Sequence, residues 1–77
     1  MASELITAPP GYVVVPNITI MGESASGMAV RIAEEGGKTH WIPLSQVHSQ
    51  HKSSTDIGGD TIVVKKWIAI EKELDWS

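Results

Sequence analysis

Residues 28–47 read "MAVRIAEEGGKTHWIPLSQV", and their pattern sets the fold class. Met28, Val30 and Ile32 alternate with Ala29, Arg31 and Ala33. A period of two places each set on its own face of a β-strand. Glu34-Glu35-Gly36-Gly37 follows, and its glycines can take the positive φ that a tight hairpin needs. Lys38 to Ile42 is then the returning strand. Trp41 and Ile42 are neighbours in it, so they point to opposite faces. Pro43 has no N–H to give, so the ladder must stop or bulge there. The four residues after it leave room for one tight turn, with Leu44 and Val47 three apart and facing the same way.

Working outward, "GYVVV" at 11–15 is an aromatic and β-branched run closed by Pro16, and "NITIM" at 17–21 alternates up to Gly22. Pro16 ends a strand, or sits at an edge or bulge. "GESASG" at 22–27 is a loop, and "HSQHKSSTDIGGD" at 48–60 is a second, polar one. "TIVVK" at 61–65 is another strand. In "WIAIEKELDW", 67–76, the residues Trp67, Ile70 and Leu74 fall on one helical face, which favours a short helix. Lys65 and Lys66 are the wrong sign for its N-terminus and no capping residue precedes it, so "WIAI" could instead prolong the strand. Residues 1–10, with Pro9-Pro10, read as a flexible arm before a single domain over 11–77. The expected architecture is mainly β: a small four- to five-stranded antiparallel barrel, Src-homology-3-like or OB-like, with a short C-terminal α-helix. Trp41, Leu44 and Val47 would plug one end of it. The competing role for Trp41 is an exposed anchor for a partner or a stacking platform for a base.

The chain has 77 residues, 42% of them hydrophobic, and no cysteine. It is one domain near the lower limit of size, with no disulfide or thiolate metal site to support a small core. Such a chain needs very efficient packing or a second subunit, so a homodimer is one expectation. The net charge of −3 gives no overall attraction to nucleic acid. No secretory leader pattern or membrane-length apolar run is apparent, which places the expected site of action in the cytoplasm.

The segments "HWIPLSQVH" (40–48) and "KWIAIEKEL" (66–74) carry a resemblance. Together with the hairpin before them, they resemble small bacteriophage and prophage proteins with a W-I-P-x-S-Q motif, a strand, and then W-[IL]-A-x-E-K. The likeness spans roughly residues 28–74. It implies a phage setting, and a host-cell cytoplasm, without implying an activity or any catalytic residue.

Chemistry-bearing constellations are sparse. His48 and His51 are three apart and follow His40, with Asp56 and Asp60 further on, but in a loop they lack the rigid support a metal site needs. Ser24, Ser26, Ser45, Ser49, Ser53 and Ser54 stand in no nucleophile motif. Glu34-Glu35 reads as solvated charge at a hairpin tip, and the two glycine-containing loops precede strands where phosphate cradles precede helices. Ser45 and Gln46 suit turn capping. No catalytic residue, metal or cofactor is expected, and the chain is read as a non-enzyme.

Two binding readings remain. Arg31, Lys38, Lys52, Lys65 and Lys66 could form one basic face with Tyr12 or Trp41 stacking, as in a single-stranded nucleic-acid accessory protein. Three tryptophans among 77 residues favour a protein-binding module. Trp41, Trp67 and Trp76 would be its anchors, and Glu71, Glu73 and Asp75 would imitate phosphate spacing toward a basic channel. The expectation adopted is a phage-type inhibitor of a host or immune-defence protein, anti-CRISPR-like, acting by surface occlusion. A structural or oligomer-forming phage component is a third possibility.

Overall fold

A computed structural model of the protein describes residues 6–53 and 59–76. Five strands form one antiparallel sheet: β1 (Tyr12–Glu23), β2 (Ala29–Glu34), β3 (Thr39–Pro43), β4 (Val47–His51) and β5 (Asp60–Lys65). Their order is β3-β2-β1-β5-β4. A single 3₁₀ turn, Leu44–Gln46, joins β3 to β4, and helix α1 (Lys66–Glu71) follows β5 directly. The mainly β class, the antiparallel pairing and the terminal helix agree with the sequence reading. Closure into a barrel does not: β3 and β4 are the two edges of an open sheet.

The sheet nevertheless wraps one core. Its middle strand is the reason. The first part of β1 pairs with β5 and its second part with β2, so one strand of 12 residues serves both halves. Pro16 does not end a strand. It lies in a bulge between Val15, opposite Ile62, and Ile18, opposite Asp60, with Asn17 at φ 61. A bulge takes the missing proline donor out of the ladder and bends the strand. Val13, Val15, Ile18 and Ile20 of β1 then face Val30, Ile32, Ile42, Ile62 and Val64 in a single cluster. β5 is buried on both faces, so its run of β-branched residues is continuous where β2 alternates.

The hairpin of β2 and β3 forms as its pattern requires, with Arg31 opposite Trp41 and Val30 opposite Ile42. Gly37, at φ 92, donates to the Glu34 carbonyl and makes the turn. Residues 47–51, read as turn and loop from the sequence, are instead the edge strand β4, with a bulge between Val47 and Ser49. The rest of that expected loop includes residues 54–58, which lie outside the described residues, as do Ser54 and Asp56.

Helix α1 is shorter than expected and turned differently. Ile68 and Ala69 are its buried residues, whereas Trp67 and Ile70 face out. It ends in a Schellman motif. Glu73 is left-handed at φ 57, its N–H donates to the Ile70 carbonyl, and the Leu74 N–H reaches back to Ala69 at 2.9 Å. That reversal returns Leu74 to the core. At the other end the Lys66 N–H donates to the Gly11 carbonyl, which replaces a side-chain cap.

Candidate functional site

Among the described residues six large apolar side chains are exposed: Met21, Met28, Trp41, Trp67, Ile70 and Trp76. They fall on two surfaces. The first lies on the outer face of β2 and β3. Trp41 is 48% exposed there, so it plugs no barrel end, while Leu44 and Val47 do pack on the core. The alternation that buries Ile42 turns Trp41 outward. The Arg31 guanidinium sits over the Trp41 ring at 5.9 Å. On one side of the ring, Met28, Pro43 and Leu44 line an apolar hollow of about 570 Å³. On the other side stand Met21, Glu23 and Arg31.

The second surface is the C-terminal segment. Trp67 is 52% and Ile70 58% exposed on α1, and Trp76 is 40% exposed beyond it. Lys66 Nζ lies 5.3 Å from the Trp76 ring centroid. Glu71, Glu73 and Asp75 are all exposed along the same stretch. This surface therefore mixes indole area with carboxylates. The structure brings Trp67, Trp76, Glu71, Glu73 and Asp75 into one segment. No residue of that segment lines the hollows beside Trp41.

The three histidines have three separate neighbours. His40 is bonded to Glu34 across the β2–β3 hairpin. His48 packs edge-on against Tyr12, ring centroids 5.4 Å apart. His51 Nε2 lies 2.9 Å from Ser49 Oγ on β4. Among the described residues no three His, Cys, Asp or Glu side chains converge as a metal site would require. The five basic residues named above are spread over separate elements. Arg31 is on β2, Lys38 in the following turn, Lys52 beyond β4, Lys65 at the end of β5, and Lys66 on α1.

Asp60 is the one buried carboxylate among the described residues, and the sequence marked it only as a loop acid. One oxygen accepts the Ile20 N–H at 2.8 Å, and the other accepts the Ser53 N–H at 2.7 Å. Burial raises the carboxyl's pKa. The amides of Ile20 and Ser53, the charge of Lys52 and the Ser53 side chain act against this and leave it below its ordinary value. The group ties β1 to the segment just after β4 and does not open onto a cavity described above. A polar cleft of about 310 Å³ does exist between the β1 bulge, the β2–β3 turn and Leu74-Asp75. The charged residues among those described as lining it, Glu34, Glu35 and Asp75, are all acidic. Among the described residues, no helix is long and apolar enough to cross a membrane.

No protein-family model, curated protein or solved structure matches this chain.

Proposed function

We propose that this chain is a non-enzymatic binding protein that covers a basic surface of a host or immune-defence protein with its C-terminal segment. One observation carries the reading. Within ten residues, 67–76, two tryptophans and an isoleucine stand exposed among three exposed carboxylates. Indole area supplies contact energy, because tryptophan is enriched at binding hot spots. The carboxylates supply selectivity for a positively charged partner, such as a nucleic-acid channel, and speed the encounter. The resemblance to phage proteins supports the setting, and inhibition by occlusion requires nothing beyond the surface itself.

The test is a tagged chain incubated with nuclease-treated host lysate. One captured protein is expected, lost in Trp67→Ala and Trp76→Ala and weakened by Glu71→Lys. Capture that is unchanged in all three variants would remove the C-terminal segment from the reading. The nucleic-acid alternative has one observation in its favour, the Arg31–Trp41 stack, since cation and aromatic together are used on single strands. Binding to single-stranded DNA that weakens steeply with salt and is lost in Arg31→Glu would select it.

A further inference from the structure

The two edges of the sheet are built differently. β4 carries His48, Ser49, Gln50 and His51, and its register breaks at a bulge. A bulge, or a proline on the edge, is how natural sheets keep an edge from pairing with another chain. β3 has no bulge, and its proline, Pro43, comes only at its last position. Its pairing with β2 is unbroken over five residues, and the outward side chain at its centre is a tryptophan.

The backbone of β3 can be assigned group by group. Antiparallel neighbours alternate between hydrogen-bonded and non-hydrogen-bonded pairs. The Glu34 N–H donates to the Lys38 carbonyl at one end of the hairpin, and the Leu44 N–H to the Met28 carbonyl at the other. In the register between them, His40 and Ile42 therefore direct their amides and carbonyls to β2. Thr39 and Trp41 direct theirs to the free edge. Pro43 shares that edge with a carbonyl and no N–H.

We propose that β3 pairs antiparallel with β3 of a second copy of this chain, about a two-fold axis at Trp41. In that register the Trp41 N–H of each copy meets the Trp41 carbonyl of the other. Each Thr39 N–H meets a Pro43 carbonyl. Both edge donors are thus satisfied, and the one bond forgone at each end is to the Thr39 carbonyl, which faces a proline with no N–H to give. The two indoles lie side by side on the outer face, where an isologous contact requires each surface to fit itself. The rim fits that demand: beside Trp41 stand one cation, Arg31, and one anion, Glu23, so two copies meet without excess charge of either sign. The inference is independent of the partner assigned to the C-terminal segment and is tested on the isolated protein.

The experiment is sedimentation equilibrium of the full chain, with hydrogen exchange followed at several concentrations. A dimer is expected, with the Trp41 and Thr39 amides exchanging more slowly as concentration rises. Trp41→Lys places two like charges at the axis and removes two central indoles, so it weakens association about a hundredfold or more. Thr39→Pro deletes an edge donor that β2 does not use and weakens association while leaving the outer face intact. Circular dichroism establishes that both variants are folded, and Gln50→Lys on β4 leaves the dimer unchanged. A wild-type monomer at all concentrations overturns the proposal. So does a dimer indifferent to Trp41→Lys and Thr39→Pro, or a dimer in which these two amides exchange at a fixed rate. A monomer whose Trp41 fluorescence responds to added oligothymidylate overturns it in favour of a stacking role for the indole.

Discussion

Asp60 holds together parts of the chain that are far apart in sequence. Its two acceptor oxygens serve amides at Ile20 and Ser53, 40 and 7 residues away. Replacing it with Asn keeps one acceptor and leaves one buried amide without a partner, a loss of about 1–3 kcal/mol. The pH dependence has a definite sign. The folded pKa lies below the unfolded value of roughly 3.9, so the carboxylate contributes its full share above that value. That share is lost as pH falls through the lower, folded value. Urea unfolding at pH 6 and at about pH 3 is the measurement, the acid point being chosen below the unfolded value. Wild type is expected to lose more stability between them than Asp60→Asn does. Equal losses in the two proteins would show that Asp60 titrates alike in both states. Nothing in the sequence singled this residue out, because its partners are backbone amides, and every residue except proline has one.

At the level of elements, legibility followed burial. β2, β3 and β5 were visible because each buries apolar residues at strand spacing, Val30 and Ile32, Ile42, and Ile62 through Val64. β4 was not visible. It is an edge strand whose residues are mostly polar, so "VHSQH" shows no alternation and its pairing to β5 supplies what the pattern lacks. Pro16 read as a strand end, an edge or a bulge, and it is the bulge: a left-handed Asn17 lets β1 bend there and continue. The helix shows how a periodic pattern misleads in a short element. Trp67, Ile70 and Leu74 fit one face of an uninterrupted helix, but α1 stops at Glu71, and Leu74 reaches the core only through the reversal at Glu73. Two variants separate the two arrangements. Ile68→Ala is expected to lose about 2–5 kcal/mol, as a buried isoleucine does. Trp67→Ala is expected to stay within about 1 kcal/mol, because it removes an exposed side chain. The opposite ranking in chemical denaturation would restore the face read from spacing. Glu73→Gly should add a few tenths of a kcal/mol: relief of left-handed strain of about 1–2 kcal/mol is partly offset by a freer unfolded chain. A lower urea midpoint for this variant would contradict the cap.

For the whole molecule, the site was partly legible. Trp67 and Trp76 were read as surface anchors and Trp41 first as the plug of a barrel end, with an exposed anchor as its competing role; all three are exposed, and chain order said nothing of their division between the β3 face and the C-terminal segment. That division bears on stability. A chain of this size with no disulfide has a core good for only about 3–5 kcal/mol by itself. Pairing two copies through β3 links folding to association, since the dimer binds only folded chains. Unfolding then releases two chains from one dimer, and each tenfold rise in concentration stabilises the pair by about 1.4 kcal/mol. Shared between two chains, that is about 0.7 kcal/mol each, or a rise in Tm of about 3–5 °C for a domain of this length. Thermal scans over a hundredfold range of concentration make the comparison. Wild type should climb with concentration, and Trp41→Lys should melt at one temperature throughout. A flat wild-type series would mean that the five strands stand alone, and that Trp41 is left exposed for some occupant other than a copy of itself.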